Sequence, residues 1–214
     1  MPTLVIGGHT RNIGKTSVVA GIIAALPELQ WTAIKITQYG HGVCSANGEP
    51  CDCQTDDHSL AITEERDATS GTDTARYLAA GAVRSLWVRT RQGDLASAMP
   101  RVRDVIARTE NVIVESNSVL RFLQPTLSVT VLDPTVVDFK PSALRYLDRV
   151  DALLVPARAE AALLHVAGWP EISARVLQSK SRFLFTAPEY CPPALIDFVR
   201  ERLGVKAAQV PVRA

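Results

Sequence analysis

Apolar positions along the chain come in short unbroken runs that alternate with longer periodic stretches. Thr3-Leu4-Val5-Ile6 reads as a strand buried on both faces. Val18-Val19-Ala20-Gly21-Ile22-Ile23-Ala24-Ala25-Leu26 follows and predicts a helix apolar on most of its faces, suited to packing on a sheet. The order then repeats. Strands are predicted at Trp31-Thr32-Ala33-Ile34-Lys35-Ile36, Arg84-Ser85-Leu86-Trp87-Val88-Arg89 and Val112-Ile113-Val114. Three more follow at Ser128-Val129-Thr130-Val131-Leu132, Ala152-Leu153-Leu154-Val155 and Phe183-Leu184-Phe185. Between them lie a helix over 73–80, capped by Thr72 or Asp73, and a long helix through Val105-Ile106. Further helices are expected around 142–150 and over 194–203. This alternation predicts an α/β fold, a mostly parallel sheet with helices on both faces in three layers. Ligands of such sheets lie at the C-terminal ends of the strands.

One stretch breaks the pattern. Residues 40–70 show neither period and are rich in Gly, Ser, Asp, Thr and Cys, so an inserted loop is expected there.

Composition changes this picture little. A chain of 214 residues suits one domain carrying that insert, and 47% hydrophobic with 21% charged residues excludes a disordered chain. Net charge is +1 with no long basic run, which argues against nucleic acid or an anionic membrane as partner. No apolar run reaches membrane-spanning length and no basic leader precedes the first strand, so a cytoplasmic protein is expected.

The chemistry begins between the first strand and the first helix, at Gly7-Gly8-His9-Thr10-Arg11-Asn12-Ile13-Gly14-Lys15-Thr16-Ser17. Strand, glycine-bearing turn and helix are the setting of a phosphate-binding loop, whose backbone N–H groups and helix dipole favour an anion. The candidate nucleotide-binding residues are Gly8, Arg11, Asn12, Ile13, Gly14, Lys15, Thr16 and Ser17. Lys15 would reach the β- and γ-phosphates and Thr16 would hold Mg²⁺ through its hydroxyl, with Ser17 one residue off the metal. The usual spacing puts a glycine at position 9, where this chain has His9; Gly8 comes one residue earlier.

Two strand tips add candidate chemistry. Val112-Ile113-Val114 runs into Glu115, and a carboxylate there is the expected second anchor for Mg²⁺. Lys35, on the second strand, could stabilise charge on a transferring phosphoryl group and an anionic acceptor. Thr186-Ala187-Pro188-Glu189-Tyr190 ends the last strand and is the candidate base-side loop, with Pro188 and Glu189 as contacts. No N-K-x-D guanine signature and no D-x-x-G switch occurs, which disfavours an ordinary regulatory GTPase.

Within the insert, Cys44, Cys51 and Cys53 lie between His41 and His58. Thiolates and one imidazole make a closed tetrahedral Zn²⁺ site, with Cys44, Cys51, Cys53 and His58 as the expected ligands. Free thiols, or a redox pair at Cys51 and Cys53, are the alternatives. Cys191 stands apart and reads as a small semi-buried residue.

The loop Gly8-His9-Thr10-Arg11-Asn12-Ile13-Gly14-Lys15-Thr16, with five residues between its glycines, resembles that of the dethiobiotin synthetase and cobyrinic acid diamide synthase group. Lys35-Ile36-Thr37-Gln38-Tyr39-Gly40 is similar to that group's K-P-V-x-x-G segment, with Ile36 in place of proline. Val114-Glu115-Ser116 is similar to its V-E-G segment, with Ser116 in place of glycine. Gly71-Thr72-Asp73-Thr74-Ala75-Arg76, ending in Ala80-Gly81-Ala82, resembles instead the adaptor protein of molybdopterin-guanine dinucleotide biosynthesis. The first resemblance implies an ATP- and Mg²⁺-dependent ligase in which a small carboxylate or carbamate takes the γ-phosphoryl, with Lys15, Lys35 and Glu115 as catalytic residues. The second implies a GTP-binding adaptor or metallochaperone serving a partner enzyme of cofactor biosynthesis. ATP is the expected nucleotide and GTP the alternative; a small acidic substrate and a homodimer complete the expected partners.

Overall fold

The computed structural model describes residues 1–39, 60–164 and 166–205. Among the described residues eight strands form one sheet: β1 (Thr3–Gly8), β2 (Thr32–Tyr39), β3 (Leu60–Glu64), β4 (Arg84–Arg91), β5 (Val112–Glu115), β6 (Leu127–Val131), β7 (Ala152–Pro156) and β8 (Ser181–Phe185). Their order across the sheet is β3-β4-β2-β5-β1-β6-β7-β8. Every neighbouring pair is parallel except β3 with β4. The helices are α1 (Lys15–Ala25), α2 (Asp73–Ala79), α3 (Leu95–Ala107), α4 (Pro141–Arg145), α5 (Ala174–Gln178) and α6 (Pro193–Arg202).

Two cores lie on opposite faces of the sheet because strand side chains alternate. Leu4 and Ile6 of β1, Ile113 of β5 and Leu154 of β7 face one core, against Val18, Val19, Ile22 and Ile23 of α1 and Leu195 and Val199 of α6. Val5, Val112, Val114 and Leu153 face the other, against Leu95, Ala98, Met99 and Val102 of α3. The result is the three-layer α/β arrangement that the alternation of elements predicts.

Two expectations need correction. Residues 40–70 are not all loop, because Leu60–Glu64 pairs antiparallel with β4 as an edge strand. With a single neighbour and a half-exposed face, its apolar content is too low to stand out from the polar sequence around it. The helix expected around 142–150 is broken, with α4 giving way to a one-turn 3-10 segment at Leu147–Arg149.

The central position of β1, between β5 and β6, decides where chemistry can occur. In register, Ile6 of β1 and Lys35 of β2 both lie beside Glu115 of β5. The loop after β1 therefore opens beside the tips of β5 and β2.

Candidate nucleotide-binding site

Glycine is required where β1 turns into the loop. A Cβ on Gly8 would stand 2.8 Å from Ile13 Cδ1 and 2.9 Å from Lys15 Cδ, so the lysine stem packs directly on the bare backbone. Gly14 has φ of 95°, and a Cβ there would lie 2.2 Å from a ring carbon of Tyr190. Asn12 also takes positive φ, at 56°, a conformation asparagine tolerates. Ile13 is buried beneath the loop. Lys15 folds back over it and its ammonium donates to the carbonyl of Thr10 at 2.5 Å. Burial, partly offset by Glu115, brings the Lys15 pKa down to about 8.

The side chain at position 9 is a joint. His9 is fully buried, its ring between Phe139 and Trp169 at centroid distances of 5.3 and 4.9 Å. Nδ1 accepts from the Asp133 N–H at 3.4 Å, and Nε2–H donates to the Val136 carbonyl at 3.2 Å. The ring is held neutral, because burial lowers its pKa below the ordinary 6.5. Next to it, the Lys140 N–H donates to the His9 carbonyl at 2.7 Å and the Thr10 hydroxyl donates to Asp138. The segment 133–140 is thereby fastened to the loop.

Glu115, at the tip of β5, is the hub of the polar cluster. Its Oε2 accepts from the Thr16 hydroxyl at 2.9 Å and from the buried Tyr77 hydroxyl. Its Oε1 accepts from Lys35 at 3.3 Å, and Lys35 also pairs with Asp73. Lys35 is therefore not a solvated strand end. It stands mid-strand in β2, with its charge offset by two carboxylates. Tyr77, below this cluster, has a pKa raised well above its ordinary value by burial and by Glu115. Arg76 donates to the Ser17 hydroxyl at 3.0 Å, tying α2 to α1.

These groups surround a cavity of about 710 Å³ at the C-terminal ends of β1, β2 and β5. Of the residues singled out from sequence, Arg11, Asn12, Gly14, Lys15, Thr16, Ser17, Lys35 and Glu115 line it. Gly8 and Ile13 lie beneath the loop and give it its shape. Pro188 and Glu189 are exposed and outside the lining; their loop contributes Tyr190 instead. Cys44, Cys51, Cys53 and His58 lie outside the described residues, as does His41. Among the described residues no group of His, Cys, Asp and Glu is arranged to hold a metal by itself. Cys191 is semi-buried; its thiol donates to the Val18 carbonyl at 3.3 Å, and burial raises its pKa to about 12.

Sequence reasoning did not assign Asp73, Arg76, Tyr77, Asn117 or Lys140 to this site, and it named Tyr190 only as the end of the base-side loop, not as a contact. Asp73, Arg76 and Tyr77 sit in the predicted helix 73–80, the segment that overlaps the resemblance to an adaptor, and Asn117 lies two residues past Glu115. Lys140 had no signal in the sequence at all.

No protein-family model and no curated protein sequence matches the chain. Among solved structures it is similar to HypB from Helicobacter pylori in complex with nickel, at 15% identity and a TM-score of 0.50, over 94% of this chain and 85% of that one. It is also similar to LpxK from Aquifex aeolicus in complex with ATP, at 15% identity and a TM-score of 0.43, over 85% of this chain and 53% of that one. MobB from Bacillus subtilis aligns at 15% identity and a TM-score of 0.41, over 97% of this chain and all of that one. At such identities the likeness to HypB extends to the fold, that of a P-loop NTPase.

Proposed function

We propose that the protein binds a Mg²⁺–nucleoside triphosphate in this cavity and cleaves or transfers its γ-phosphoryl group. The observation that carries this reading is the meeting of Thr16 and Glu115, hydroxyl to carboxylate at 2.9 Å, beside the lysine of a glycine-shaped loop. Hard oxygen donors of this kind suit Mg²⁺, which usually binds one or two protein oxygens together with substrate phosphates. Bound Mg²⁺ would neutralise charge on the β- and γ-phosphate oxygens. Lys15 would exchange the Thr10 carbonyl for phosphate oxygens, and the N–H groups of the loop would surround the β-phosphate. Lys35 would hold Asp73 and Glu115 in place and offset charge developing on the transferred group.

Two finer readings share this centre. In the ligase reading ATP phosphorylates a small carboxylate or carbamate, and the support is cavity space beyond the loop, lined by Thr37, Gln38, Gln92 and Ser118. In the adaptor or metallochaperone reading, nucleotide turnover serves a partner protein in metalloenzyme or molybdenum-cofactor maturation. Its support is that the segment with the adaptor resemblance faces the nucleotide cavity through Asp73 and Arg76. The likeness to a nickel-bound HypB accords with the second reading.

Calorimetric titration of wild type and Lys15→Ala with ATP and GTP, with and without Mg²⁺, tests the shared centre. Equal affinities in the two proteins would overturn it. Turnover by the purified protein alone, with a small acid as acceptor, would select the ligase; binding with negligible turnover until a partner protein is added would select the adaptor.

A further inference from the structure

Among the described residues three lysines line the cavity, and their circumstances differ. Lys15 is committed to the phosphate loop and Lys35 is clamped between Asp73 and Glu115. Lys140 makes no side-chain hydrogen bond or ion pair with any described residue, although it is half-buried in the wall of the cavity. Its pKa is lowered, first by burial and then by the neighbouring charge of Arg11, with Asp138 and Glu115 opposing. An ammonium in that state gains from any anion that reaches it.

We propose that Lys140, with Arg11 and the hydroxyls of Ser118 and Ser142, forms a second anion-binding subsite of this cavity. It borders the phosphate loop through Arg11, is distinct from the nucleotide phosphate position under Lys15, and takes a carboxylate or phosphate group of a co-substrate. This inference rests on the nucleotide reading of the loop.

Charge and construction both support it. Among the described residues the cavity is lined by Arg11, Lys15, Lys35, Arg76 and Lys140 against the two carboxylates of Asp73 and Glu115. Lys35 pairs with both carboxylates and Arg76 shares Asp73 at 3.8 Å. Among these groups the positive charge left over therefore lies on Lys15, which the phosphate loop uses, and on Arg11 and Lys140, with Asp138 near Lys140 as a partial counter-charge. Lys140 is also held with unusual care for a loop residue. Its N–H is bonded to His9, its carbonyl accepts from Ala143 and Leu144 at 2.9 and 3.2 Å, and Phe139 before it packs on the His9 ring. A fully buried histidine at position 9 of the phosphate loop thus fixes, directly beside the loop, the position of a free cation in the cavity wall. Such preorganisation lowers the cost of ordering a long side chain when an anion binds.

The test uses the full chain saturated with Mg²⁺ and a non-hydrolysable ATP or GTP analogue, titrated with inorganic phosphate and separately with malonate. Wild type is expected to bind one of the two anions with the analogue in place, and which one it binds distinguishes a phosphate from a carboxylate co-substrate. Lys140→Gln should weaken that anion by about tenfold or more, because a charge-assisted contact is lost, with analogue affinity and melting temperature nearly unchanged. An anion that binds only when the analogue is absent would assign Lys140 to the γ-phosphate and overturn the separate subsite. So would equal anion affinity in Lys140→Gln, or no anion binding to analogue-loaded wild type. Wild type that fails to bind the analogue would overturn the nucleotide reading and this inference together, which separates the two failures.

Discussion

The side-chain amide of Asn117 spans the backbone of Gly8, accepting from its N–H at 2.9 Å and donating to its carbonyl at 2.8 Å. A side chain just past β5 thus takes both backbone groups of the last residue of β1, where the phosphate loop departs. The fit is close enough that a Cβ on Gly7 would stand 2.4 Å from Asn117 Oδ1. The tip that carries Glu115 and the loop that carries Lys15 are therefore one rigid unit.

Asn117→Ala should destabilise the protein by about 1–3 kcal/mol, the range for two lost hydrogen bonds at a partly buried site. Asn117→Asp should be at least as harmful, since a carboxylate cannot donate to the Gly8 carbonyl. Denaturant unfolding of the three proteins checks this. An aspartate variant as stable as wild type would remove the clamp from the account.

Tyr77→Phe deletes one hydroxyl and leaves the buried ring, so the fold should survive. Glu115 would then lose the donor that fixes Oε2 beside the Thr16 hydroxyl. Mg²⁺ should bind about tenfold more weakly in the presence of nucleotide, as for other residues that orient a metal ligand. Nucleotide affinity without Mg²⁺ should stay at the wild-type value. Glu115→Gln should lose Mg²⁺ dependence more completely. A Mg²⁺ titration of Tyr77→Phe that superimposes on wild type would leave the tyrosine a packing residue only.

Lys15 gives the nucleotide site a pH dependence whose sign follows from its lowered pKa. With its pKa near 8, the ammonium is largely intact at pH 7 and largely neutral by pH 9.5. A bound triphosphate favours the charged form, so binding takes up a proton above pH 8. Affinity should then fall by up to about tenfold per pH unit above that point, since one proton is linked to binding. Lys15→Ala, already weak, should show no such slope. A flat wild-type profile between pH 7.5 and 9.5 would contradict the depressed pKa.

How much of this was legible in the sequence depends on how far apart the partners lie. Gly8, Gly14, Lys15 and Thr16 are readable because the strand, turn and helix around them are contiguous. Glu115 is readable because an apolar strand ending in a carboxylate is itself a local pattern. Asn117 reaching Gly8 and Lys140 reaching His9 are contacts across more than a hundred residues, and nothing in their own neighbourhoods announces them. His9 looked like a departure from the motif, since a glycine was expected there; only packing on Phe139 and Trp169 shows its use. Lys35 looked like a strand end because polar Thr37 and Gln38 follow it, yet backbone pairing with β4 carries the strand on to Tyr39. Edge strand β3 was missed for the related reason that its pairing, more than its composition, makes it a strand.

His9→Gly would bring the loop nearer to the usual spacing, and it should nevertheless damage the protein. Removing a fully buried ring packed between two aromatic side chains leaves a cavity, at a cost of roughly 3 kcal/mol by comparison with other large-to-small core changes. It also unfastens the segment 133–140 from the phosphate loop, whose shape then loosens, so nucleotide affinity should fall with stability. The neutral ring adds a pH signature. His9 titrates below its unfolded value of 6.5, so the folded state binds fewer protons than the unfolded chain in that window. Its contribution is complete above pH 6.5 and is lost as pH falls through the folded pKa. Wild type should therefore lose stability between pH 7.5 and 5 by more than His9→Gly does. Chemical denaturation at the two pH values measures both effects. A glycine variant as stable as wild type at pH 7.5, with the same acid sensitivity, would show that the histidine joins nothing.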